Sequence, residues 1–161
     1  MNLPDILGPQ LRVLLVGTRG RASSPHQAHY YDGRGNHFWT LLHASGLVPV
    51  PLAPSDDAAL PTYGVGLTDL VWQGEAWDVL RLHRTVRRSR PRVVAFVSKA
   101  AASAYARATR SRSPRDYGAL SWTVAGRPAF VLPGPSGANN AMPVQLRAAL
   151  WSDLVDFLVM V

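Results

Sequence analysis

The most constraining feature of the sequence is a short apolar run that ends at a glycine and leads through a long loop into a helix. Residues 11–16 are apolar apart from Arg12, a pattern typical of a buried parallel strand. The run breaks at Gly17, and a helical pattern begins at residues 36–45. Open α/β sheets bind ligands where strand ends and helix N-termini converge. We therefore expect residues 17–35 to hold an active site.

The rest of the chain alternates between strand and helix patterns. Apolar residues 92–97 predict a second buried strand, and Ser98 can cap the helix that follows it. Further strands are predicted at residues 120–124 and 129–132. Further helices are predicted at residues 55–60, from residue 75 onward, and at residues 143–160. The last helix has one apolar stripe, formed by Leu146, Leu150, Leu154, Phe157 and Leu158. This alternation favours an α/β fold with a mostly parallel sheet, in a single domain over residues 1–161.

Residues 64–71 are predicted to form a compact turn into a short strand or loop beside the site. This segment contains Asp69. Its carboxylate is expected to bond neighbouring backbone amides, and action on a ligand is the alternative.

The charge of the chain favours a polyanionic partner. Its 161 residues include 17 basic and 10 acidic side chains, for a net charge of +7, and Lys99 is the only lysine. The arginine excess is also typical of a GC-rich genome. Arg81, Arg84 and Arg88 are predicted on an exposed helix face, and a loop near a nucleic acid backbone would hold Arg110, Arg112 and Arg115.

The sequence contains no cysteine, which excludes a disulfide framework and a thiolate metal site. No apolar run approaches the roughly 18 residues that span a bilayer, and residues 1–5 lack the basic start of a signal peptide. We expect a soluble cytoplasmic protein that associates with the nucleoid and not with membranes.

Three segments resemble motifs of the uracil-DNA glycosylase superfamily. Residues 17–24, Gly-Thr-Arg-Gly-Arg-Ala-Ser-Ser, stand where its mismatch-specific branch has Gly-Ile-Asn-Pro-Gly-Leu-Ser-Ser, and Tyr31 and the Asn-His-Phe-Trp of residues 36–39 follow at that branch's spacing. Residues 63–71 resemble the branch's middle segment, and residues 134–137, Gly-Pro-Ser-Gly, match its late motif. The sequence is therefore most similar to the mismatch uracil and thymine DNA glycosylases, over almost its whole length.

The resemblance implies a three-layer α/β/α sandwich with four or five central strands. It also implies a DNA repair glycosylase that flips a deaminated or mismatched base, uracil above others, out of the duplex and hydrolyses its N-glycosidic bond. Tyr31 would stack on the flipped base, and Gly17, Thr18 and Asn36 would bind it. No cofactor is implied, and we expect a monomer acting on double-stranded DNA.

The resemblance further implies a set of DNA contacts. The second loop would grip the DNA backbone and fill the space that the flipped base leaves. The residues expected to contact DNA are Ser24, Ser136, Gly137, Ala138, Asn139 and Asn140.

Arg19 replaces the asparagine that positions the attacking water in that branch. Arginine stays protonated and cannot act as a general base. If the chemistry has moved, Asp32 is the first candidate, because a carboxylate beside Tyr31 can orient water or stabilise positive charge on the sugar. His29 can donate a proton to the departing base, and Arg19 can stabilise its negative charge. A turn-forming Asp32 and a solvated His29 are the alternatives.

Two further kinds of chemistry are not expected. His26, His29 and Asp32 have a spacing that suggests metal ligands only if a helix carries them, and the loop composition argues against one. Lys99 stands at the predicted start of a helix and not in the loop, so it is badly placed for a Schiff base. The sequence predicts hydrolysis without lyase activity and without a metal.

Three functions remain open at this stage. The first is an active DNA glycosylase. The second is a catalytically weak or inactive protein that binds abasic or mismatched DNA on the same fold. The third is a small-molecule nucleotide-binding α/β protein.

Overall fold

The structure, a computed structural model, describes residues 3–20, 28–137 and 141–161. Strands and helices alternate along this part of the chain. In chain order the elements are β1 (Val13–Arg19), α1 (Phe38–Ala44), a 3₁₀ helix (Pro54–Tyr63), β2 (Val65–Val71), α2 (Val79–Ser89), β3 (Val93–Phe96), α3 (Lys99–Thr109), β4 (Gly118–Val124), β5 (Arg127–Val131) and α4 (Val144–Met160).

The five strands form one sheet with the order β2-β1-β3-β5-β4. The first four run parallel, and β4 runs antiparallel to β5. A two-residue turn joins β4 to β5, and both of its residues, Ala125 and Gly126, have positive φ angles of 49° and 84°. Such turns match the twist of a hairpin. The mostly parallel sheet predicted from the sequence is confirmed, with five strands.

Alternate residues of β1 face two separate cores. Val13 and Leu15 pack in a cluster with residues of α1 and α4, whereas Leu14 and Val16 pack in a cluster with residues of α2 and α3. The sheet is therefore covered by helices on both sides, which is why its central strands are apolar throughout. This is the three-layer α/β/α sandwich that the sequence predicted.

The first strand is longer than the apolar run suggests. It continues through Gly17 and Thr18 to Arg19, which pairs with Val71 in β2. The prediction that the strand breaks at Gly17 is wrong, because the parallel neighbour β2 extends equally far and supplies hydrogen-bond partners for these residues. The loop therefore begins after Arg19.

Several local predictions are confirmed. The Ser98 hydroxyl accepts a hydrogen bond of 3.0 Å from the backbone N–H of Ala101 and so caps α3. Residues 64–71 contain a buried strand, and the predicted helix at 55–60 is part of the 3₁₀ helix Pro54–Tyr63. In the part of the chain that the structure describes, no helix combines the length and apolar character needed to cross a membrane.

The buried face of α4 differs from the predicted stripe. Its fully buried residues are Arg147, Trp151, Leu154 and Leu158, while Leu146 is half exposed. The apolar pattern missed this face because its first member is a charged residue. Arg147 is buried because its guanidinium bonds loop carbonyls, as described below.

We predict that Trp151→Ala lowers the free energy of unfolding by about 3–5 kcal/mol, because the indole is fully buried and packs edge-on against Phe38. Denaturant unfolding would measure the loss. Leu146→Ala on the same helix is the matched control and is expected to change stability by about 0.5 kcal/mol or less. Equal effects of the two substitutions would contradict the assignment of the buried face.

Candidate functional site

The carboxyl ends of β1, β2 and β3 meet at one edge of the sheet. Gly17 of β1 lies opposite Asp69 of β2, and the backbone N–H of Val97, just after β3, donates to the Val16 carbonyl at 3.0 Å. The loop after β5 reaches the same edge. A cavity of about 210 Å³ opens there, lined by Gly17, Thr18, Tyr31, Asn36, Asp69, Val97, Ser98, Gly134, Pro135 and Ser136.

Gly17 permits two polar side chains to approach the floor of this cavity. A Cβ atom at Gly17 would lie 2.7 Å from the Tyr31 hydroxyl oxygen and 2.8 Å from Asp69 Oδ1. Any larger residue would displace at least one of them. The glycine thus brings a phenol and a carboxylate to the same point.

Asp69 is held in this position by Arg19. The Asp69 Oδ2 atom accepts hydrogen bonds from Arg19 Nε at 3.1 Å and from Arg19 Nη2 at 2.9 Å, and both side chains are about nine-tenths buried. Burial raises the pKa of Asp69 above its ordinary value, and the positive charge of Arg19 opposes that rise. The ion pair fixes one carboxylate oxygen, while Oδ1 faces Gly17.

Tyr31 is held by its ring and not by its hydroxyl. The ring stacks on Phe38 with centroids 4.0 Å apart and planes 19° from parallel. The residue has a positive φ of 54°, which is uncommon for a bulky side chain. Its hydroxyl is buried, and no group of the described residues forms a hydrogen bond with it. Burial, followed by the negative charge of Asp69, raises the pKa of Tyr31 well above its ordinary value, so the hydroxyl keeps its proton.

Asn36 lies on the cavity wall just before α1. Its Oδ1 atom accepts a hydrogen bond of 2.9 Å from the backbone N–H of Phe38 and so satisfies a free donor of the first helical turn. The helix begins at Phe38, two residues later than predicted, and its N-cap residue is His37, whose carbonyl accepts a hydrogen bond of 2.8 Å from the backbone N–H of Leu41.

Two backbone contacts join the loop before α1 to the loop after β5. The backbone N–H of His37 donates to the Pro135 carbonyl at 2.8 Å. Gly137 approaches Gly35 so closely that a Cβ atom would lie 2.7 Å from the Gly35 carbonyl oxygen. The two loops that resemble family motifs therefore form one continuous wall.

The loop after β5 is anchored from beneath by α4. Arg147 Nη1 donates to the carbonyl oxygens of Gly134 at 3.2 Å and Ser136 at 3.1 Å, and the Trp151 indole N–H donates to that of Pro133 at 3.0 Å. Buried carbonyl groups require such partners. The C-terminal helix thus sets the position of one cavity wall.

The predicted site residues are only partly brought together. Gly17, Thr18, Tyr31 and Asn36, expected to bind the base, all line the cavity, and so does Ser136.

The three predicted catalytic residues lie elsewhere. Arg19 pairs with Asp69 beneath the cavity. Asp32 is exposed, and His29 Nδ1 lies 3.1 Å from Asp57 Oδ2. All three belong to the described part of the chain, and none is among the residues that line the cavity. Their catalytic roles stay predictions.

The remaining predicted contacts fall partly outside the described residues. Five of the residues named from the sequence lie outside the described ranges: Ser24, His26, Ala138, Asn139 and Asn140. Gly137 is the last described residue of the second loop. Within residues 3–20, 28–137 and 141–161, no group of three or more histidine, aspartate or glutamate side chains could hold a metal ion.

The sequence placed Asp69 beside the site but did not reveal its partner. Its ion pair with Arg19 joins side chains 50 positions apart. An acidic residue late in a predicted segment favoured bonds to backbone amides, with action on a ligand as the alternative. Ser98 was found as a helix cap, but its place on the cavity wall depends on the order of the strands.

The comparison with known families agrees with this geometry. A family model described as the uracil DNA glycosylase superfamily matches residues 4–155. The chain belongs to that superfamily. Membership supports a DNA glycosylase activity in general, and with it a hydrolase that serves DNA repair and has DNA as its partner.

For this superfamily member we predict that Gly17→Ala lowers the free energy of unfolding by about 1–3 kcal/mol, because the added methyl group forces Tyr31 or Asp69 out of a packed position. Gly20→Ala, where a Cβ atom meets nothing within 4 Å, is the control and should change stability by about 0.5 kcal/mol or less. Denaturant unfolding of both variants is the measurement. An unchanged Gly17→Ala variant would show that the floor of the cavity is not closely packed.

Proposed function

We propose that this protein removes a deaminated or mismatched base, uracil above others, from double-stranded DNA. It rotates the base into the cavity beside Gly17 and hydrolyses the N-glycosidic bond without lyase activity. The observation that carries the proposal is the cavity itself, which combines an aromatic ring, a buried carboxylate and a buried hydroxyl without a partner among the described residues, in a chain of the uracil DNA glycosylase superfamily.

The cavity suits a single flat ring. Its volume of about 210 Å³ is below the roughly 300–1000 Å³ usual for drug-sized ligands. Phe38 backs the Tyr31 ring and Tyr31 lines the cavity, so we expect a base to stack on the ring from the cavity side. Stacking of this kind contributes about 1–3 kcal/mol per base.

The unsatisfied hydroxyl of Tyr31 favours a ligand with a carbonyl oxygen. A buried donor without a partner costs about 1–3 kcal/mol, and a base carbonyl that accepts its hydrogen bond would recover that cost. Asn36 Oδ1 accepts the hydrogen bond from the Phe38 backbone, so its Nδ2 donors are the groups that it can present to a base. Both side chains would donate to the departing base, which carries negative charge as the bond breaks.

Asp69 is the carboxylate best placed for the sugar and the attacking water. It lines the cavity with Oδ1 beside Gly17, whereas the exposed Asp32 lies outside the lining. An ionised carboxylate here would orient water and stabilise the positive charge that develops on the sugar. Arg19 would act through Asp69, by fixing Oδ2 and favouring the ionised form.

The position of Lys99 supports the proposed absence of lyase activity. It is the only lysine of the chain, it begins α3, and its ammonium group lies 4.3 Å from the centroid of the Tyr117 ring. It is not among the residues lining the cavity. A Schiff base with the sugar requires an amine in the site.

A second candidate is a protein that binds damaged or abasic DNA with little or no chemistry. The observation that favours it is the same ion pair, because Arg19 neutralises the carboxylate that would otherwise act on water. Such a protein would bind DNA in a salt-dependent manner and release no base.

A single-turnover assay tests the proposal. Duplexes carrying uracil, hypoxanthine, xanthine or a mismatched thymine are incubated with excess protein, and abasic sites are revealed by alkaline cleavage. Free base with an intact strand before alkali supports monofunctional hydrolysis. Binding without any product supports the second candidate, and strand cleavage before alkali would contradict the absence of lyase activity.

We predict that Asp69→Asn lowers the single-turnover rate by about 100-fold or more, the range expected for loss of a group that activates water. Asp32→Asn, the same isosteric change at an exposed carboxylate in the loop before α1, is the matched variant and should retain activity. The opposite result would return the catalytic role to Asp32, as predicted from the sequence.

The pH dependence should follow the ionisation of Asp69. Because burial raises its pKa, the rate should fall with decreasing pH at a higher pH than an ordinary carboxyl group would give. Arg19→Gln removes the charge that opposes this rise, so the acid limb should move further toward neutral pH. Arg34→Gln, the same change at an exposed arginine in the loop between β1 and α1, is the control. An acid limb unmoved by Arg19→Gln would contradict the assignment.

A further inference from the structure

A second concave surface lies at the outer edge of the sheet, away from the cavity. It has a volume of about 330 Å³ and is formed by the loop before β4 and by β4 itself. We call it the β4 groove and define it by Arg112, Arg115, Tyr117, Ser121 and Trp122.

The β4 groove combines positive charge with aromatic rings. The side chains of Arg112 and Arg115 are exposed, and neither forms an ion pair within the described residues. Asp116 is the one acidic residue in the described lining. Lys99 adds a third positive charge next to Tyr117. The groove is therefore complementary to an anionic partner.

The aromatic wall of the groove is rigid. Trp122 stacks on Tyr105 with centroids 5.4 Å apart, and its indole N–H donates to the backbone carbonyl of Arg112 at 2.8 Å. The second contact also fixes the backbone that carries the Arg112 side chain. A surface held in this way loses little conformational entropy when it binds.

The groove opens at the same end of the sheet as the cavity. Gly118 at the start of β4 pairs with Val131 at the end of β5, just before the loop that forms the cavity wall. Lys99, which contacts Tyr117, directly follows Ser98 of the cavity lining. A positively charged path thus runs from the cavity through Lys99 to the β4 groove.

We propose that the β4 groove binds the phosphate backbone of the DNA strand that flanks the nucleotide in the cavity. The inference rests on the proposed function for its substrate. Two strand spacings, about 10 Å in all, separate β3 from β4. At about 3.4 Å per nucleotide along the helix axis, the phosphates contacted lie about three nucleotides from the flipped base, on one side of it.

The occupant is a continuous strand and not a free nucleotide. Both arginines are exposed on an open groove and not enclosed around one phosphate, and the path through Lys99 links the groove to the cavity. A free nucleotide bound there would leave DNA affinity unchanged when the arginines are removed.

The test uses the double variant Arg112→Ala, Arg115→Ala in the full chain. The Trp122 contact survives, because it is made to the backbone of residue 112. The matched control is Arg87→Ala, Arg88→Ala, which removes the same charge from exposed positions near the C-terminus of α2, where the chain leads into the start of β3 and not into the strand ends that form the cavity. Affinity for a uracil-containing duplex is measured from about 50 to 200 mM salt.

We expect the groove variant to bind about 10-fold more weakly than wild type, with a salt slope smaller by about 2, while the control stays within about 2-fold. Duplexes with one to six base pairs on either side of the uracil locate the contact. Wild type should gain affinity as one side grows past about three base pairs, and the groove variant should lack that gain.

Equal losses in the two double variants would overturn the inference and indicate a nonspecific effect of charge. Unchanged binding by the groove variant would overturn it as well. Both outcomes differ from failure of the proposed function, in which wild-type protein releases no base from the uracil duplex, whether or not it binds it.

Discussion

The parallel pairing of β1 with a strand on each side is the constraint on which the site depends. β1 lies between β2 and β3, and its pairing with β2 extends without interruption to Arg19. This register sets Gly17 opposite Asp69 and brings the end of β3 alongside. A shift of one residue would turn the Asp69 side chain to the other face of the sheet. The cavity therefore depends first on the register of the strands, and only then on the individual side chains that line it.

The Arg19–Asp69 pair adds an electrostatic constraint to this geometric one. Two charges removed from water stabilise a fold only when their geometry is good, and here one carboxylate oxygen accepts two short bonds from one guanidinium. The pair thus has two consequences that act in opposite directions. It favours the ionised form of a buried carboxylate, and under the proposed function it reduces the negative charge available to a developing cation on the sugar. In that proposal, the balance between these two effects separates an efficient glycosylase from a protein that mainly binds.

Much of the fold could be predicted because it depends on local pattern. The apolar runs of β1 and β3, the cap at Ser98 and the alternation of elements all follow from hydrophobic spacing and side-chain chemistry. The resemblance to family motifs also indicated five residues that line the cavity. What could not be predicted depends on contacts between distant segments. The partner of Arg19 is 50 residues away, and Arg147 is buried only because two carbonyls of another loop need its hydrogen bonds.

The anchoring of the second loop by α4 has a thermodynamic consequence. Arg147 and Trp151 bond three carbonyl groups of that loop, so the docked helix and the formed cavity wall stabilise one another. Any ligand that binds the formed wall must therefore stabilise the docked helix by linkage. The rate of amide hydrogen exchange in the C-terminal helix should therefore report whether a ligand occupies the cavity.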